Sequence, residues 1–133
     1  KHLCLNANEH YFPTTTISRG TDKAELTVIE PIAAQDARSH LEFLVDLHDN
    51  GLRRPLYFLP ECSFAYASAI LGGKTRLDAM QSAKTVWAQE AQGSEGQDPY
   101  WRRIAISNEL FDDTFEQLSI EIYSPLIDNW NEL

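Results

Sequence analysis

Three places in this 133-residue chain carry residue types that could do chemistry: a cysteine near a helix start, a glycine-rich Gly-Lys-Thr stretch, and four histidines. Cys62 follows the apolar run Leu56-Tyr57-Phe58-Leu59, where a helix N-terminus could lower a thiol pKa. The glycines of a nucleophile elbow are missing around it, so the residue reads as a buried structural thiol. Gly72-Gly73-Lys74-Thr75 has the ending of a phosphate-binding loop, but the required first glycine is Ser68 and no strand precedes it. His40 and His48 lie on one predicted helix, about 12 Å apart along its axis, which is too far to share a metal ion. His2 and His10 have no companion ligands at metal-binding spacing. No cofactor is expected.

Two basic clusters remain. Arg102-Arg103 beside Tyr100-Trp101 could stack on a base or grip a phosphate. The same residues could serve as core aromatics with surface arginines. Arg53-Arg54 precedes the apolar run and is the other basic pair. Trp130 lies among Asn129, Asn131 and Glu132, beyond Pro125, where a partner could bury it or it could fold back on its own domain. These six residues, Arg53, Arg54, Tyr100, Arg102, Arg103 and Trp130, are the candidate contacts with partner or DNA.

The elements that must position them are legible in part. His2–Asn8 reads as the end of a helix stopped by Asn8. Thr14–Ser18 and Glu25–Glu30 read as a hairpin around the turn residues Gly20-Thr21-Asp22. Ala33–Asn50 is helical, with Ala34, Ala37, Leu41, Leu44, Val45 and His48 on one stripe and Asn50-Gly51 as a stop. Leu56–Leu59, four apolar residues between Pro55 and Pro60, suits a strand buried on both faces. A helix then turns Phe64, Ala67, Ile70 and Leu71 inward and stops at Gly72-Gly73. Thr75 and Asp78 form a capping box for a long helix with Leu77, Met80, Ala83, Trp87 and Ala91 inward, closed at Gly93. Gly93–Gln97 reads as a flexible polar loop. Asp98-Pro99 caps a short helix through Ile104. The last helix starts near Asp112, with Phe115, Leu118 and Ile122 inward, and is kinked or ended by Pro125. The expected class is α/β (α+β): a small sheet flanked by helices, in a single domain over 1–133.

Composition narrows the function. Hydrophobic content is 43% and charged content 23%, ordinary for a soluble globular protein. The net charge is −9 and the isoelectric point about 4.8. Such a surface repels phosphate, so the domain taken alone should bind protein rather than nucleic acid. From Ser107 on there are seven acidic residues and no lysine or arginine. Two cysteines, Cys4 and Cys62, are too few for a disulfide framework and point to reduced, cytoplasmic thiols. No transmembrane run is visible, and an opening at Lys1 suggests a fragment of a longer chain.

Several stretches resemble, in order, the C-terminal domain of the RecC family, the gamma chain of exodeoxyribonuclease V. They are Pro31-Ile32-Ala33-Ala34-Gln35 leading to Ser39-His40-Leu41, Gly51-Leu52 through Pro55–Glu61, Tyr100-Trp101-Arg102-Arg103, and Tyr123-Ser124-Pro125-Leu126. The resemblance spans most of the chain after the first hairpin strand. It implies a degenerate restriction-endonuclease-like fold from which the nuclease residues are missing. It also implies RecB-like and RecD-like partners, with DNA handled in the full RecBCD complex. A working site needs a carboxylate and then Asp/Glu-x-Lys on the next strand to hold Mg²⁺. Two positions before Lys23, Lys74 and Lys84 stand Thr21, Gly72 and Ser82, and nothing stands before Lys1. Asp36-x-Arg38, Glu90-x-Gln92 and Glu95-x-Gln97 are weaker variants on predicted helix or loop. The expectation is a noncatalytic assembly and DNA-path scaffold. The alternatives are a metal-dependent nuclease using Glu25, Glu30 and Glu61, or a stand-alone protein-interaction domain.

Overall fold

The computed structural model describes residues 1–19, 24–54, 56–91, 93–106 and 109–132, without the side chains of Asn131 and Glu132. The expected turn Gly20-Thr21-Asp22 and Leu133 therefore lie outside the described residues. The chain divides into two compact units, Lys1–Leu56 with Pro125–Leu133, and Tyr57–Ser124.

The first unit contains helix α1 (His2–Ala7), strands β1 (Thr14–Arg19) and β2 (Ala24–Ile29), helix α2 (Ala34–Arg53) and strand β3 (Trp130–Glu132). Asn8 ends α1 as expected, with its side-chain amide donating to Cys4 O at 2.8 Å. The left-handed position, however, is Glu9 (φ 64°). The hairpin is antiparallel and unbroken, from Thr14 opposite Ile29 to Arg19 opposite Ala24. The His2 ring ties α1 to β1 and to the residue after β2: Nδ1 lies 2.8 Å from Thr14 Oγ1 and Nε2 donates to Glu30 O at 3.1 Å. Ala7 and Ala37 are buried where α1 packs on α2, and Arg38 Nε donates to Ala7 O at 2.9 Å.

The stripe expected along α2 is only partly covered. Ala37 is buried, whereas Leu44, Val45 and His48 are exposed. A six-residue α1 reaches about 9 Å, and a twenty-residue helix about 30 Å, so α1 can cover only the start of α2. The helix also runs past the expected stop at Asn50-Gly51, to Arg53.

The third strand is not the expected one. Leu56–Leu59 forms no strand, although Leu59 is extended (φ −107°, ψ 98°) and fully buried. Pro60 starts helix α3 (Pro60–Leu71) directly after Leu59. The third strand is β3, which pairs antiparallel with β2, Ile29 opposite Trp130, in the order β1-β2-β3.

The second unit holds α3, α4 (Arg76–Trp87), a 3₁₀ turn (Glu95–Gln97), α5 (Pro99–Ala105) and most of α6 (Asp113–Ile127). Its core joins Leu59, Cys62, Tyr66, Ala69, Ala79, Ala83, Leu110 and Phe115. Tyr66 and Phe115 meet edge to face at 5.7 Å, and Phe111 meets Phe115 at 5.0 Å. The inward faces follow the expected stripes in part: Ala67 and Ala83 are buried and Ile70, Met80 and Trp87 pack against the core, but other positions differ. Tyr66 is buried and Phe64 is 36% exposed, edge-on to Tyr123. Ala79 and Ala83 are buried and Leu77 is 79% exposed. α4 and α3 pack closely through these alanines, so the small residues mark the contact and the larger leucine lies outside it.

Local caps match the sequence. Asp78 N donates to Thr75 Oγ1 at 3.2 Å. Asp98 Oδ1 accepts from Tyr100 N and Trp101 N at 2.7 and 3.3 Å. Asp112 Oδ1 accepts from Phe115 N at 2.8 Å. α4 ends at Trp87, short of the expected Ala91. α6 runs past Pro125 to Ile127.

Candidate functional site

The candidate contact residues divide between the two units. Arg53 closes the last turn of α2 and Arg54 caps it; both are exposed. Trp130, in the same unit, stands on β3 opposite Ile29 and is 37% exposed. Tyr100, Arg102 and Arg103 belong to the other unit, on α5.

α5 forms because Asp98 accepts two amides of its first turn, Pro99 supplies a preset first position, and Arg102 and Arg103 meet the negative end of the helix. Its two aromatics separate. Trp101 packs against the core with Ile104, while Tyr100 is 80% exposed. Arg102 borders an open groove of about 490 Å³ shared with Trp87, Glu90 and Gln97. Among the described residues, Arg53, Arg54, Arg102 and Arg103 make no ion pair with a carboxylate. α5 thus presents one exposed phenol ring and two solvated guanidinium groups.

The alternative carboxylate set does not converge on one strand pair. Glu25 lies on β2 opposite Ser18, and Glu30 lies just past β2 with its amide donating to Asn129 O. Five positions apart on an extended chain, their side chains project to opposite faces. Glu61 belongs to the other unit, on α3. Asp36 and Arg38 are on α2, where Arg38 faces Glu9 at 3.6 Å. Gln92, which ends the Glu90-x-Gln92 variant, lies outside the described residues. Among the described residues, no three His, Cys, Asp or Glu side chains come together as a metal-holding group.

Cys62 is fully buried. Burial pushes its thiol far up, reinforced by the neighbouring carboxylates of Glu95 and then Glu61. A protonated, inaccessible thiol is a poor nucleophile.

Glu95 does what no residue near the α3 start could. Leu59 is the N-cap and offers no side-chain acceptor, and Pro60 has no N–H. The Glu61 and Cys62 amides donate instead to Glu95 Oε1 and Oε2, at 2.7 and 3.0 Å. The segment expected to be a flexible loop is therefore a built turn. Ser94 is buried, its hydroxyl donating to Gln89 O or Ala91 O at 2.8 and 2.9 Å. Gly93 adopts φ 92°, and a Cβ on Gly96 would stand 1.7 Å from Trp87 O.

Glu116 is a second hub. It accepts from Tyr66 Oη at 2.8 Å and from Arg76 Nε at 2.7 Å, and Arg76 also bonds Asp113. The Arg76 hydrogen bond holds the Glu116 carboxyl below its ordinary range, and the Tyr66 hydroxyl adds to this. Burial, then the Glu116 carboxylate, pushes Tyr66 up to about 12. Neither hub was visible in the sequence. Their partners lie 33 to 50 positions apart, and no motif marks them.

The family model described as RecC C-terminal domain matches residues 1–71. That span includes the hairpin and the Pro31–Leu41 and Gly51–Glu61 stretches, and excludes Tyr100–Arg103 and Tyr123–Leu126. No curated protein and no solved structure matches the chain. Among the described residues, no helix is long and apolar enough to cross a membrane. With more than half its length matched, the chain belongs to the RecC C-terminal domain family.

Proposed function

We infer that this chain is a noncatalytic module of a RecBCD-type helicase–nuclease. It serves assembly and the DNA path in cytoplasmic double-strand-break repair and recombination. The observation that carries this reading is the family match over residues 1–71. The fold reading is a reduced restriction-endonuclease-like domain, 1–133, within a longer subunit. It is supported by a helix leading into an antiparallel hairpin, and by an apolar segment, Leu56–Leu59, with the composition of an inner strand.

The chemistry of the strands supports a noncatalytic role. β1, Thr-Thr-Thr-Ile-Ser-Arg, carries no carboxylate. β2 carries Glu25, with Thr27 rather than lysine two positions on. A nuclease needs both a carboxylate pair and that lysine to hold Mg²⁺ and orient water. The partners are RecB-like and RecD-like subunits, and DNA is met in the full complex. Net charge supports protein over nucleic acid for the isolated chain, with Arg53, Arg54, Tyr100, Arg102, Arg103 and Trp130 as contact candidates.

Two measurements test the reading. Incubation with linear single- and double-stranded DNA plus Mg²⁺ or Mn²⁺ should leave the DNA intact; cleavage lost in Glu30→Ala would establish the nuclease instead. Titration against RecB-like and RecD-like subunits, and against a tailed duplex at two salt concentrations, should show protein binding. Tight, steeply salt-dependent DNA binding with neither subunit bound would overturn it.

A further inference from the structure

The outer edge of the sheet is unusually undefended. β1 bonds to β2 on one side, and among the described residues no strand lies on the other. Edge strands in soluble proteins are generally protected by lysine, proline, a bulge or shortness. β1 has none of these. It is six residues long, its pairing with β2 skips no position, and its one charge, Arg19, stands at its end. The opposite edge, β3, is only three residues long. Thr14, Thr15, Thr16 and Ile17 are β-branched, which suits a pleated strand. Thr15 through Arg19 are exposed, and Ile17, directly opposite Leu26, is 73% exposed. The apolar cross-strand pair Leu26–Ile17 therefore ends at an open edge.

Two occupants could complete it. A second copy would pair β1 with β1 about a two-fold axis. That contact uses six residues a side, well short of the roughly 20–30 of a stable interface. It would also bring together two bodies of charge −9. A short extended segment of a differently charged partner gains the same main-chain ladder without bringing a second acidic body to the edge. Charge complementarity with an acidic chain favours a basic segment.

We propose that the free edge of β1 accepts an extended, basic segment of a partner protein as a fourth strand, with an apolar side chain laid against Ile17. This rests on the reading of the chain as a protein-binding module, and names the place and mode of binding. Lysine at position 17 should block it, because an edge lysine resists strand addition while this exposed side chain contributes little to the fold.

The probe is a synthetic peptide of alternating valine and threonine with lysine at each end, added to the isotope-labelled chain. Hydrogen exchange is followed by NMR. At saturating peptide, alternate amides between Thr14 and Arg19 should exchange at least about tenfold more slowly. Ile17→Lys should abolish this slowing with an unchanged melting temperature. No slowing at millimolar peptide overturns the proposal. So does slowing without peptide that rises with protein concentration, which would make a second copy the occupant. RecB-like and RecD-like subunits are then titrated against both forms. Equal binding by wild type and Ile17→Lys sinks the edge proposal and leaves the protein-binding reading standing. Binding by neither form sinks that reading, while the peptide result still decides the edge.

Discussion

Replacing Glu95 with alanine should uncap α3 from a distance of more than thirty residues. Its carboxylate accepts the Glu61 and Cys62 amides, the two first-turn donors left after Pro60. The Glu61 bond is exposed, so water replaces it at a cost of about 0.5 kcal/mol. The Cys62 amide is partly buried, and losing its acceptor costs about 1–2 kcal/mol. Removing a negative charge from the positive helix end adds about 0.5 kcal/mol. The sum is about 2–3 kcal/mol, read as a shift in the urea midpoint at unchanged slope. In a chain of this size it corresponds to a melting temperature lower by about 8 °C. Glu95→Gln, which keeps one acceptor but loses the charge, should cost about 1 kcal/mol. A second readout is the thiol. In a Cys4→Ser background, Cys62 is buried and reacts only when the region opens. A loss of 2 kcal/mol should speed its labelling about 30-fold. A Glu95→Ala protein that melts within about 1 °C of wild type and labels at the same rate would refute the reasoning, because water would then be serving both amides equally well.

Gly96→Ala should destabilise by about 2 kcal/mol or more in urea, because its Cβ would stand 1.7 Å from Trp87 O. Gly93→Ala, at φ 92° with nothing within 4 Å, should cost only about 1 kcal/mol. Leu59→Ala should cost about 2–5 kcal/mol, since Leu59 is fully buried although it belongs to no strand. The Glu116 carboxyl is depressed in the fold, so its contribution is present above its ordinary value of 4.5 and is lost as pH falls through the folded value. Glu116→Gln should therefore flatten the acid limb of a melting-temperature–pH profile. Tyr66 is raised from 10 to about 12, so its contribution is full below pH 10 and is lost as pH rises toward 12. Tyr66→Phe should make that alkaline limb shallower, leaving the share due to the raised Cys62 thiol.

The sequence by itself determined what short-range chemistry decides. Asn8, Thr75, Asp98 and Asp112 end or start helices through bonds to residues within four positions. The hairpin needed only β-branched runs flanking turn residues, and the family resemblance needed only the order of the letters. Tertiary structure decided the rest. Leu56–Leu59 has the composition of an inner strand, but a strand exists only where another backbone offers its ladder, and the strand that pairs with β2 is β3, about a hundred residues further along the chain. On α3 the expected Ala67 is buried, but Tyr66 takes the place expected of Phe64, because Phe115 and Glu116 receive its ring and hydroxyl. The polar segment Gly93–Gln97 reads as a flexible loop, because nothing in its letters shows that Glu95 meets two amides some thirty positions earlier. Local bonds are written in adjacent residues; these long-range partners are selected only when the chain has folded.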